Sequence, residues 1–331
     1  MINFIISENF YSLFAGIGLM AAFLMTCVCI TKFNYLLPKR CRQRFLPMME
    51  KLFCRKNQRG AGIIFILVFA AAALLFSELS VEIVIYIVLV IAEMLTGYLD
   101  DASEKPWNEY KKGLLDLLVA VVLSLTFMHY NSSTIEFAIP GISVTIPPVV
   151  FCLLSIVLIW VSINVTNCSD GVDGLSATLT IITLITLYIV KGMKGTTDNF
   201  SYLILLFVIC LLGYLWYNAA PSHLMMGMQD PERWEFFIAI AALKTESPFL
   251  YIFAAFVLIA DGGIGIVKCS IASFLEDQDL NKCSDSPCMI MCEKCGTGRT
   301  HRLFLPVWNH SNRNFCGNNL HAYVVINRSR L

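Results

Sequence analysis

Long apolar runs, broken by short polar stretches, fill most of this 331-residue chain. Apolar windows fall near 12–31, 62–77, 80–99, 114–129, 147–164, 174–190, 200–217 and 249–267, with a shorter, weaker one near 234–244. Crossing a bilayer core takes about 20 apolar residues in a helix. The pattern therefore predicts an all-α, polytopic membrane helix bundle with nine candidate spans. Gly and Pro at the window ends mark helix boundaries. One interval departs from helical periodicity. Thr134-Ile135-Glu136-Phe137 and Ile142-Ser143-Val144-Thr145 alternate about Pro140-Gly141, which predicts a small β-hairpin over 134–146.

Charge placement gives the windows a direction. The interval 32–60 carries nine Lys and Arg residues, from Lys32 to Arg59, and is cytoplasmic by the positive-inside rule. Alternation then puts Glu78 and Glu82 outside, Asp100 to Lys112 inside, the hairpin outside, and 164–175 inside. It continues with 191–199 outside, Asn218 to Arg233 inside, and the tail from Lys268 inside. Every polar constellation read from the sequence falls on the cytoplasmic face of what is expected to be a bacterial cytoplasmic membrane.

Composition sharpens this. Hydrophobic residues make up 57% and charged residues 15%, where a soluble protein carries about 25% charge; the mean hydropathy is +0.69. Lys and Arg (24) balance Asp and Glu (24), so no broad basic surface is available for nucleic acid. Many of the 13 cysteines lie in apolar runs, where Cys behaves as a small hydrophobe. No small-residue cleavage site follows the first run, so no secretory leader is expected.

Three polar constellations interrupt the apolar pattern. Gly97-Tyr98-Leu99-Asp100-Asp101 closes the third window. Adjacent carboxylates suit Mg²⁺, a hard cation that takes oxygen ligands, or one of the pair can serve as a base with a raised pKa; a solvated helix end is the plain alternative. Lys111 and Lys112 follow, as phosphate contacts or as ordinary interfacial anchors. The second is Asn164-Val165-Thr166-Asn167-Cys168-Ser169-Asp170-Gly171-Val172-Asp173-Gly174-Leu175. There Asn167, Asp170 and Asp173 recur at helical spacing, and paired glycines allow close backbone approach to a ligand. The third is Gly213-Tyr214-Leu215-Trp216-Tyr217-Asn218-Ala219-Ala220-Pro221 with Met226-Gly227 beyond. Asn218 is its candidate ligand contact, and Pro221 stops the helix. A fourth cluster, Cys283, Cys288, Cys292 and Cys295 with His301, has zinc-type residues but only one C-x-x-C pair.

In this order and spacing, and with Asp261-Gly262-Gly263-Ile264-Gly265 and Lys268 beyond, the motifs resemble the polyprenyl-phosphate N-acetylhexosamine-1-phosphate transferases (glycosyltransferase 4 type). Within that family the chain is most similar to the branch that handles phospho-N-acetylmuramoyl-pentapeptide. The likeness covers roughly 60–268. It implies a ten-helix fold, Mg²⁺ as cofactor, and transfer of phospho-N-acetylmuramoyl-pentapeptide from its UDP-sugar to undecaprenyl phosphate, with release of UMP and formation of the first lipid-linked peptidoglycan precursor. It also implies residue roles. Asp100 and Asp101 become candidates for the base or a Mg²⁺ contact, and Asn167 for a metal or phosphate contact. Asp170 and Asp173 join the catalytic set, while Lys112, Asn164, Gly171, Asn218 and Gly227 are substrate-binding candidates. A homodimer is a further expectation. The alternative substrate is UDP-N-acetylglucosamine. A membrane transporter is the remote alternative, disfavoured because transporters place ionisable groups near the midplane and these sit at helix ends.

The chain departs from the family in two places. Where the family has a Mg²⁺-binding Asp after Met-Gly, Met228 stands here, and after Lys268 neither a histidine loop nor a tenth apolar run follows. As written, the chain is expected to have negligible activity. Back-translation offers a cause. In a shifted frame Met228 to Glu235 can read Asp-Ala-Gly-Ser-Arg-Ala-Leu-Gly, and Pro287 to Lys294 can read Pro-Leu-His-Asp-His-Val-Arg-Lys. Leu305 to Leu331 can yield an apolar run of spanning length. Residues of roughly 40–58, 228–235 and 270–331 are thus expected to be out-of-frame readings. That divides the chain into a transferase domain, 1–268, and an aberrant tail, 269–331, whose cysteine cluster would be an artefact.

Overall fold

Each apolar window begins a helix. The computed structural model describes residues 11–33, 39–44, 53–58, 62–103, 107, 109–136, 143–167, 174–195, 198–219, 234–256 and 259–260. The helices are α1 (Tyr11–Phe33), α2 (Gly62–Phe76), α3 (Val81–Ala102), α4 (Glu109–Tyr130), α5 (Pro148–Asn167), α6 (Leu175–Met193), α7 (Asn199–Asn218), α8 (Glu235–Lys244) and α9 (Pro248–Ala254). Of these, α1, α3, α4, α6 and α7 are long and apolar enough to cross a bilayer, while α2 and the Pro148–Asn164 stretch of α5 are apolar but shorter. The chain is a polytopic, all-α membrane bundle. It divides into two compact units, Met1–Met289 and Ile290–Leu331. Every described residue belongs to the first unit, and the expected boundary at 268/269 lies outside them.

Two small hairpins accompany the helices. Thr134–Glu136 (β3) pairs antiparallel with Ser143–Thr145 (β4), Ile135 facing Val144, as the alternation about Pro140-Gly141 predicts. The other, Lys39–Arg44 (β1) against Phe53–Gln58 (β2), has no counterpart in the sequence pattern. Its strands are rich in Lys and Arg and lack alternation, and along the backbone Arg42 is in register with Arg55.

In lipid, helices gain little from excluding water and associate instead through close van der Waals packing. The central elements satisfy this with rings. Phe207 stacks on Phe237 at 4.1 Å between centroids, Phe69 meets both edge-on, and Phe65 adjoins Phe207, Tyr214 and Trp234. Small residues bring α1 against α7. A Cβ on Gly18 would lie 2.5 Å from the Tyr202 hydroxyl, and one on Gly213 would lie 3.0 Å from Thr26.

Helix α8 is the innermost element. Glu235 to Leu243 are all buried, and α8 packs on α3, α5, α6, α7 and α9. Ten residues of helix rise about 15 Å, so α8 alone covers half a bilayer, with polar sequence before it and a tight turn after it. Successive helices run antiparallel, which sorts the connections into two ends. The motif end gathers the close of α3, the start of α4, the close of α5, the start of α6, the close of α7 and the start of α8. The opposite end gathers their other termini.

Candidate active site

Three helix termini carry the sequence motifs to the motif end. Asp100 and Asp101 occupy the last turn of α3, and Asn167 ends α5; their side chains lie outside the described residues, as do Asp170, Gly171, Asp173, Gly227, Met228 and the Cys283–Cys295 cluster in their entirety. The described neighbours show how this end is tied together. The Asn164 amide nitrogen donates to the Trp160 carbonyl one turn back, 2.9 Å. The Trp160 indole N–H in turn donates to the Gly113 carbonyl of α4, 3.2 Å. That bond fixes α5 beside Lys112, which is buried. Lys112 and Asp116 lie one turn apart on one face of α4, and both are buried. Lys111 is placed differently: it is exposed, its ammonium 3.4 Å from the centre of the Trp107 ring, a cation–π contact.

The far side of the long motif is set by a glycine. Gly174 precedes α6 with φ 78, in the left-handed region, where a Cβ is disfavoured. Its carbonyl accepts from the Thr178 hydroxyl, 2.7 Å. Two residues on, Ser176 donates to Glu235 at the first turn of α8, 3.3 Å. Asn218 closes α7 and is 1% exposed. The structure thus brings Lys112, Asn164, Asn218 and the helix ends bearing Asp100, Asp101 and Asn167 to one end of the bundle. Among the described residues no three His, Cys, Asp or Glu side chains form a metal-binding group.

Residues 83–246, from the second residue past the start of α3 to just beyond α8, match the family described as glycosyl transferase family 4. The chain is 32% identical over 290 residues to a phospho-N-acetylmuramoyl-pentapeptide-transferase of Treponema pallidum, covering 82% of this chain and 79% of that relative. The chain belongs to glycosyl transferase family 4. Relatives of the same name from Nitratiruptor and Staphylococcus carnosus share 27% and 25% identity, over 75% and 72% of the transferase and 77% and 79% of their own lengths. The transferase is an enzyme of the phospho-N-acetylmuramoyl-pentapeptide-transferase-like class.

Sequence reasoning missed several residues of the transferase. Glu93 is fully buried within α3, roughly 10 Å along the axis from Asp100, and Asp116 and Glu235 are buried as well. The signal was present for the first two, since an ionisable residue inside an apolar window is a functional candidate by default. Glu235 stands outside that rule because its window, 234–244, was weak.

A further polar constellation, not read from the sequence, lies at the opposite end. There the Lys244 ammonium lies 3.1 Å from Glu82 and donates to Asn131, 2.9 Å. Asn131 donates to the same Glu82 oxygen, 2.7 Å, as does Tyr86, 2.8 Å. Lys191 pairs with Asp198 at 2.9 Å and donates to the Lys244 carbonyl, 3.0 Å; Lys194 donates to the Thr245 carbonyl, 3.1 Å. Two ammonium groups thus satisfy carbonyls that the end of α8 leaves without helical partners. Positions 53 and 162 residues apart make these bonds, so no sequence window contains them.

Proposed function

We propose that this protein transfers phospho-N-acetylmuramoyl-pentapeptide from its UDP-sugar to undecaprenyl phosphate, releasing UMP, with Mg²⁺ as cofactor and the motif end facing the cytoplasm. The observation that carries the reading is the convergence of Asp100-Asp101, Asn164 to Asn167 and Gly174 at one end of a bundle that belongs to glycosyl transferase family 4. The names of the relatives favour the muramoyl-pentapeptide over UDP-N-acetylglucosamine.

Both reactants are phosphates, so the site must hold two anions together and neutralise their repulsion. Asp100, Asp101 and Asn167 offer hard oxygen donors of the kind Mg²⁺ takes; Mg²⁺ held there would offset the charge of the two phosphate groups. Asp100 or Asp101 deprotonates the lipid phosphate, whose oxygen then accepts the phospho-sugar as UMP leaves. Lys112 and Asn218 hold substrate phosphate and nucleotide, and Gly174, in the left-handed region, leads from the Asp170 to Asp173 stretch of the sequence into α6.

Met228 removes one oxygen donor from this set, and we propose that residues of roughly 40–58, 228–235 and 270–331 are out-of-frame readings. The two described residues of the second region support this physically. Trp234 is fully buried, and its indole N–H has no partner among the described residues; Glu235 is a buried carboxylate. A buried donor left without a partner costs about 1–3 kcal/mol, whereas Glu235 accepts from Ser176; the other frame places Leu and Gly at the two positions. The test is an assay of labelled UMP release from each UDP-sugar, run on the chain as written and on a chain carrying the other-frame residues in all three regions, called the restored chain below. Release from UDP-N-acetylglucosamine in preference to the muramoyl-pentapeptide would overturn the substrate assignment.

A further inference from the structure

Two neighbouring lysines stand in the first turn of α4, and their surroundings are opposite. Lys111 is exposed and rests on the Trp107 ring, whereas Lys112 is 9% exposed. A lysine at a membrane surface ordinarily extends its ammonium into water, so burial here calls for a partner. The helix itself adds to the demand. The start of a helix carries partial positive charge and disfavours a cation.

Asp116 is placed to supply the counter-charge. It is 2% exposed and lies four residues on, about 6 Å deeper along the same face of α4. Helical side chains lean toward the N-terminus, so the Asp116 carboxylate extends over the turn that carries Lys112. The Lys112 stem leads on toward the motif end, where Asp100 and Asp101 occupy the last turn of α3. Glu93, the other buried carboxylate on this helix pair among the described residues, is set apart. It lies nine residues before the close of α3, whereas Lys112 lies three past the start of α4. Across two antiparallel helices that leaves Glu93 about 9 Å deeper than Lys112 and on the other helix.

We propose that Asp116 is a positioning residue for Lys112, an inference that rests on the reading of Lys112 as a substrate-phosphate contact. An ammonium carries three donors. One serves Asp116 in a charge-assisted hydrogen bond, and the others meet oxygens of the diphosphate of the UDP-sugar. Asp116 itself touches no substrate. Its carboxylate offsets the charge of a buried ammonium, which would otherwise be costly to keep out of water, and fixes the direction in which the ammonium points. The Trp160 indole bond to the Gly113 carbonyl, 3.2 Å, secures the adjacent residue from the α5 side. Lys112 is thus held along α4 by one neighbour and across the bundle by the other.

The test compares the dissociation constants of UDP and uridine on the full chain as written, with EDTA present so that only the protein's own cations meet the phosphates. The parent should bind UDP about tenfold more tightly than uridine. Lys112→Met and Asp116→Asn should each remove most of that preference and leave uridine binding unchanged, and Asp116→Glu should keep much of it. No preference in the parent, or full preference in Lys112→Met, overturns the reading of Lys112 and the inference with it. Loss in Lys112→Met with full preference in Asp116→Asn leaves that reading standing and overturns the positioning role. Equal weakening of UDP and uridine by Asp116→Asn shows a general structural role and overturns it too. If Asp116→Asn alone fails to fold, with an ammonium left buried, Lys112→Met together with Asp116→Asn should recover the thermal midpoint. A double variant as unstable as the single one overturns the pairing.

Discussion

The indole N–H of Trp160 reaches from α5 to the carbonyl of Gly113 on α4 at 3.2 Å, directly beside Lys112 and one turn from Asn164. One side chain therefore sets the spacing between two residues proposed to contact substrate. Trp160→Phe keeps the ring and removes the donor. It should cost about 0.5–1.5 kcal/mol of stability and raise KM for the UDP-sugar in the restored chain, while kcat falls less. A variant with unchanged KM separates the bond from the site.

Gly174 should tolerate no side chain. Its φ of 78 imposes about 1–2 kcal/mol on an L-residue, and it stands directly between Asp173 and the start of α6. In the restored chain Gly174→Ala should lower kcat/KM by more than its loss in thermal midpoint explains, which parallel assays of the variant at a temperature well below unfolding will read.

Asp100 and Asp101 should behave unequally. The general base contributes roughly 10²–10⁴-fold, so one of Asp100→Asn and Asp101→Asn should lose that much kcat in the restored chain and lose the acid limb of its pH–rate profile. The other should show chiefly a raised Mg²⁺ requirement. Equal, small losses for both would place the chemistry elsewhere.

Lys244 and Glu82 form a pair largely withdrawn from solvent, at 12% and 15% side-chain exposure. Breaking such a pair by removing one partner costs roughly 3 kcal/mol, because the other charge stays behind. Lys244→Met should therefore destabilise the detergent-solubilised chain strongly, and Lys244→Met with Glu82→Gln should recover much of the loss. Additive losses would mean that the two do not couple.

Trp234 and Glu235 give the frame proposal a protein-level test beside resequencing of the coding DNA. Replacing a buried Trp with a smaller residue ordinarily costs about 3–5 kcal/mol. Here Trp234→Leu together with Glu235→Gly removes a buried indole N–H that has no partner among the described residues and a buried carboxylate, so the thermal midpoint should hold or rise. A loss of ordinary size, or DNA that reads base by base as printed, rejects the proposal.

The helices were legible because each is bounded by its own sequence: α3 by Ser80 and the Asp100-Asp101 pair, α6 by Gly174 and Gly195. The hairpin at Thr134 to Thr145 announced itself through alternation and Pro140-Gly141. The hairpin at Lys39 to Gln58 did not, since its strands lack an apolar face. At the site, Asp100, Asn164 and Asn218 stood out as polar residues ending apolar runs. Trp160 and Ser176 did not, because their roles depend on Gly113 and Glu235, 47 and 59 residues away. The constellation at the opposite end was illegible for the same reason: Glu82, Asn131, Lys191 and Lys244 meet only once the helices pack.

The most direct test of the central claim is UMP release by the restored chain from UDP-N-acetylmuramoyl-pentapeptide in the presence of undecaprenyl phosphate, with Mg²⁺ or with EDTA. The account predicts release that requires both the lipid phosphate and Mg²⁺, with the chain as written at background. No release by the restored chain, release independent of Mg²⁺ or of the lipid phosphate, or equal turnover by the chain as written would contradict it.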